Sequence, residues 1–137
     1  MIPSFDESGC LPPGVYPATL AEIEARCGLQ SELRRVQIES VRWMVDLAVR
    51  AGVQRIVLNG SFVTDIMEPN DVDCVLLSEP RSRRDPSALR ELRKGLPFLD
   101  IAIAGPKRFR QYVTRLFAAD RDAVPKGMVE VRFHAAE

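Results

Sequence analysis

The sequence predicts an α/β (α+β) domain, with one mixed four-stranded sheet flanked by helices in the order ααββαβαβ. Three observations carry this. Apolar residues recur at helical spacing between 32 and 51. Short apolar runs at 55–59, 71–77 and 97–104 have strand length and end in Gly, Pro, Ser or Asp. Helix-start signals stand between the later strands, so helices and strands alternate along one chain.

The segment "LPPGVYP" is rich in Pro and Gly and reads as irregular, giving an N-terminal arm over 1–18. Thr19 and Glu22 make a capping box and Gly28 a stop, which predicts a helix over 20–27. Ser31 caps a longer helix, about 32–51, whose expected stripe is Leu33, Val36, Val41, Met44, Val45 and Ala48, with Trp43 packing on or beside it. "RIVLN" at 55–59 is a strand, "GSFVTDIMEPN" a turn holding one helical turn, and "DVDCVLL" a second strand. After the loop "EPRSRRDP", Asp85 caps and Pro86 begins a helix carrying Leu89 and Leu92 that ends at Gly95. "PFLDIAIA" is the third strand. Gly105 and Pro106 open a helix with Phe109, Tyr112, Val113, Leu116 and Phe117 on one face. "MVEVRF" at 128–133 alternates and is the last strand.

At 137 residues the chain fits a single domain, 1–137, with its motif region at 55–103. A hydrophobic share of 46% and a charged share of 28% are those of a soluble globular protein, and no run approaches a membrane span. The start "MIPSFDESGC" has neither the basic nor the apolar part of a secretory leader. Cys10, Cys27 and Cys74 are widely spaced without a CxxC pair, which argues for reduced thiols and a cytoplasmic setting. Charge is uneven. Residues 81–95 hold Arg81, Arg83, Arg84, Arg90, Arg93 and Lys94 against Asp85 and Glu91, so the second half has a basic surface fit to face solvent or phosphates.

"DVDCVLL" breaks the apolar rule for a buried strand at its first and third positions. Residues two apart share a strand face, so Asp71 and Asp73 project together. Two carboxylates this close repel unless a cation neutralises them, and magnesium prefers one or two carboxylates completed by substrate phosphate. Asp100 repeats the anomaly as the lone charge of "FLDIAI" and joins the pair if the strands are neighbours. Upstream, Gly60 and Ser61 follow a strand directly, where backbone N–H groups and a hydroxyl can hold a phosphate. Together these residues suit metal-assisted phosphoryl or nucleotidyl transfer, with Asp100 also a candidate general base. Asp65 and Glu68 read as solvated loop residues, Asn70 as a turn residue and Cys74 as core, and His134 has no evident role.

Strand, GS pair, DxD about ten residues on and a further Asp on a later strand resemble the polymerase-β-type nucleotidyltransferase superfamily over about 55–103. The small size resembles the minimal nucleotidyltransferases of prokaryotic toxin–antitoxin modules. The stretches "LPPGVYPATLAEIEARCG" and "DRDAVPKGMVEV" also resemble a family of uncharacterised prokaryotic proteins with this expected fold. The resemblance implies that Gly60 and Ser61 contact nucleotide phosphates. It implies that Asp71 and Asp73 ligate one or two Mg²⁺ ions and that Asp100 completes the triad. Minimal members usually read GSxARG. Here "GSFVTD" puts Thr64 on the phosphate side where an Arg is expected, with Asp65 next, and the loop Arg81–Arg84 is the alternative source of positive charge.

Three functions follow as expectations. The first is a magnesium-dependent transferase that moves a nucleoside monophosphate from an NTP to a hydroxyl of a partner protein or RNA, within a toxin–antitoxin or defence pair. The second is a catalytically inactive module of the same fold that binds a partner protein, such as a cognate toxin. The third is an RNA-binding protein that relies on the basic second half.

Overall fold

The computed structural model describes residues 1–116 and 126–133. Its sheet has five strands: β1 (Gly14–Thr19), β2 (Arg55–Asn59), β3 (Val72–Leu77), β4 (Leu99–Ala104) and β5 (Gly127–Arg132). The order across it is β1-β5-β2-β3-β4. Strands β1 and β5 are parallel, as are β3 and β4, while β2 is antiparallel to both of its neighbours. The mixed α/β class is as expected, but the strand number is corrected from four to five. The arm expected to be irregular over 1–18 contains β1. Its Pro17 and Gly14 argue against a central strand, yet β1 is an outer strand, where a missing N–H can face outward at no cost.

The helices are α1 (Leu20–Cys27), α2 (Glu32–Ala51), α3 (Pro86–Lys94) and α4 (Pro106–Gln111), the last running into a π-helical turn, Tyr112–Leu116. Their ends follow local chemistry. Thr19 and Glu22 form a complete capping box on α1, Ser31 caps α2, and Asp85 accepts from the Ala88 N–H to cap α3. Gly52 ends α2 with φ +80, a conformation glycine adopts without strain. The side chains of Leu116, Phe117 and His134, and most of the "DRDAVPKG" connection, lie outside the described residues.

Alternation in each strand divides the apolar residues into two layers. Ile56, Leu58, Val72, Cys74, Leu76, Val129 and Val131 face α1, α2 and α3 in the main core. Val57, Val75, Leu77, Ala104 and Met128 form a smaller layer against Phe109 of α4. The stripe expected on α2 holds from Val41 onward but not before it. Leu33 is only half-buried and Val36 is 45% exposed, while Arg34, Gln37 and Ile38 are buried in that first stretch. Trp43 is 48% exposed and is not the packing residue expected.

Candidate functional site: a carboxylate row beside a glycine turn

Three strands end together at one margin of the sheet. Pairing sets Asn59 of β2 opposite Asp73 of β3, and Asp73 opposite Asp100 of β4. Strands lie about 4.8 Å apart, so this polar row spans roughly 10 Å. By alternation Asp73 shares the face of Val75 and Leu77, the side on which α4 packs. Helix α4 begins immediately after β4, and thus at the opposite end of that face. A cavity of about 270 Å³ there, lined by Arg55, Phe109 and Arg110 among others, includes none of the acids.

Asp71, exposed, directly precedes β3, and Asp100 is exposed on β4, whereas Asp73 is half-buried between them. Burial raises the pKa of Asp73, and the neighbouring charges of Asp100 and then Asp71 raise it further; Lys126 acts the other way. The structure therefore sets Asp73 and Asp100 side by side, with Asp71 near enough to act on the charge of Asp73. With the folded-state pKa above the unfolded one, protonated Asp73 stabilises the metal-free fold at low pH. That contribution is lost as pH rises through the raised value.

Gly60 fits against Asp73. Its φ of +82 and ψ of −161 lie in a region that is essentially glycine's alone. A Cβ at Gly60 would fall closer to Asp73 Oδ2 than real Cβ contacts allow. Gly60→Ala is accordingly expected to cost about 1 kcal/mol of stability through backbone strain and to push the Asp73 carboxylate aside. Denaturant titration with and without magnesium checks this. A variant that gains as much stability from the ion as wild type would show that the close approach is dispensable.

A 3-10 turn, Ser61–Val63, follows Gly60. Thr64, expected on the phosphate side, is 7% exposed. Its hydroxyl donates to the Ser61 carbonyl at 2.7 Å and accepts from the Ile66 N–H at 3.2 Å, so it closes the turn from inside. The Asp65 carboxylate lies against Gly9 of the N-terminal arm, whose carbonyl also accepts from the Asp65 N–H. Glu68 and Asn70 are exposed, and Cys74 lies in the main core. Arg81, Arg83 and Arg84 are exposed on their loop, where Arg83 Nε donates to Ser78 Oγ.

The loop 61–70, which joins the glycine turn to the aspartates, is held by α2. Ser31 Oγ donates to the Met67 carbonyl, and Gln37 Nε2 donates to the carbonyls of Pro69 and Asn70. Between them Arg34, only 2% exposed, lies over the Phe62 ring. Its guanidinium donates to the carbonyls of Cys27 (2.8 Å), Phe62 (2.7 Å), Thr64 (2.8 Å), Ser61 and Ile66. Sequence reasoning missed this clamp, though its signal was present: Ser31, Arg34 and Gln37 recur every three residues along a helix face otherwise apolar.

Asn59 was also missed. It is the polar end of "RIVLN", directly before Gly60. Its Oδ1 is buried without a hydrogen-bond partner among the described residues. A carbonyl oxygen left alone beside a row of carboxylates needs a donor or a cation. Among the described residues, no group of three or more His, Cys, Asp and Glu is gathered closely enough to hold an ion by itself. The donor set fits magnesium nonetheless, because that ion takes one or two carboxylates and completes its shell with water and substrate oxygens.

A family model described as "Family of unknown function (DUF6932)" matches residues 3–132. No curated protein matches the chain, and no solved structure does. No helix among the described residues is long and apolar enough to cross a membrane.

Proposed function

We propose a function from the site and the superfamily resemblance, because the chain belongs to the DUF6932 family, whose description assigns none: it is a magnesium-dependent nucleotidyltransferase with a nucleotidyltransferase-like fold. The observation that carries this reading is the Asp73–Asp100 register pair beside Asp71, set against a glycine where a side chain would press on Asp73. Asp71 and Asp73 would hold the ion, with Asn59 Oδ1 as a further oxygen donor. The bound ion supplies charge neutralisation for nucleotide phosphates and for the departing pyrophosphate.

The chain's own residues do the rest. Gly60 keeps the backbone beside Asp73 clear, so that Ser61 and the N–H groups of the turn can approach a triphosphate. Asp100 takes the proton of an acceptor hydroxyl. The hydroxyl oxygen then bonds to the α-phosphorus as the α–β phosphoanhydride bond breaks, and pyrophosphate leaves with that bond's electron pair. The acceptor is an RNA or a partner protein, and a toxin–antitoxin or defence setting follows from the superfamily resemblance alone.

A second reading, a non-catalytic module that binds a partner protein, is favoured by one observation. Thr64 is occupied inside the loop where minimal members carry an Arg, and the nearby Arg34 guanidinium is committed to backbone carbonyls. Incubation with Mg²⁺ and each α-labelled NTP, with RNA or protein extract as acceptor, separates the two. The enzyme reading expects label transfer that chelation abolishes. Neither transfer nor magnesium-dependent NTP binding would overturn the enzyme reading in favour of a non-catalytic one.

A further inference from the structure

Phe98 has φ +66, the left-handed region in which a bulky residue is an outlier. It is 41% exposed and belongs to neither apolar layer. Asparagine or glycine would make this turn at less conformational cost, so folding alone does not account for an aromatic ring here.

Its position does. The Phe98 carbonyl accepts from the Val72 N–H at 2.8 Å, between Asp71 and Asp73, and Phe98 stands two residues before Asp100. Strand β4 is an outer strand of the sheet, so no further strand blocks approach from that side. The glycine turn lies across the acids, at the end of β2. Phe98 therefore sits on the side of Asp100, where an acceptor hydroxyl would enter. Helix α3 ends just upstream with the exposed cations Arg93 and Lys94. An exposed ring four and five residues along the chain from exposed cations suits single-stranded nucleic acid, whose bases stack while its phosphates meet positive charge.

We propose that Phe98 is a stacking platform for a nucleobase of a single-stranded RNA acceptor, with Arg93 and Lys94 facing that strand's phosphates. This rests on the nucleotidyltransferase reading and names its acceptor as RNA rather than protein. The test uses the full chain, a fluorescent single-stranded RNA oligonucleotide and, separately, Mg²⁺–NTP. Phe98→Asn accepts the left-handed backbone but lacks the ring, and Phe98→Trp keeps a ring. Phe98→Asn is expected to bind the RNA about tenfold or more weakly, to melt no lower than wild type and to bind Mg²⁺–NTP unchanged. Phe98→Trp retains RNA binding. If Phe98→Asn binds RNA as wild type does, or loses NTP binding instead, the platform is wrong and the transferase reading stands. Wild type that binds Mg²⁺–NTP but no RNA overturns the RNA acceptor alone. Wild type that binds no Mg²⁺–NTP overturns both.

Discussion

Asp73→Asn is expected to abolish label transfer, by about a thousandfold or more, while leaving the protein as stable as wild type or about 1 kcal/mol more so. The two effects have one cause. Asp73 is half-buried, faces Asp100 in register and lies near Asp71, so its charge is raised in energy by burial and by both neighbours. An amide keeps the shape and removes the repulsion, but it is a far weaker ligand for a hard cation. Magnesium is likewise expected to raise the melting temperature of wild type and not of the variant, since an ion stabilises the state that binds it. Chemical denaturation, thermal melts with and without the ion, and transfer assays read all three. A variant that is markedly less stable and still active would make Asp73 a structural residue and remove the site.

Arg34→Met is expected to cost the fold about 3 kcal/mol or more, read as a fall in the denaturant midpoint. Methionine fills much of the volume but leaves five buried or part-buried carbonyls without the donors they now share. Arg34→Lys is expected to recover only part of the loss, because an ammonium offers three donors and no planar fork. Magnesium-dependent stabilisation should weaken in parallel, because the loop 61–66 that carries the turn hangs on this group. A cost under about 1 kcal/mol, the worth of a single ordinary hydrogen bond, would mean that the loop holds itself.

What the chain discloses at first sight follows how local the physics is. The caps at Thr19, Ser31 and Asp85 need only a few neighbouring residues, and each lies where expected. Asp71, Asp73 and Asp100 stood out because a carboxylate at the start of an apolar run is expensive, a cost visible in one dimension. Strand β1 did not, because Pro17 is tolerable only at a sheet's edge, and edges are a property of the whole sheet. Arg34 and Gln37 were not singled out, because the carbonyls they hold lie some thirty positions away in the chain. Thr64 was noticed for the charge it lacks; the fold uses it for the turn it closes.

The pairing of β1 with β5 also sets an order of assembly. Residues 31–104 hold α2, the clamped loop and strands β2, β3 and β4, whose ends bear Asn59, Asp73 and Asp100, joined by comparatively short connections. Strand β5 must enter between β1 and β2, and Gly14 meets Gly127 across more than a hundred residues of chain. Closing so long a loop is entropically slow, so β1 has no hydrogen-bonded neighbour until the most distant strand has arrived. During synthesis the segment bearing the chemistry leaves the ribosome ahead of the strand that completes the sheet around it.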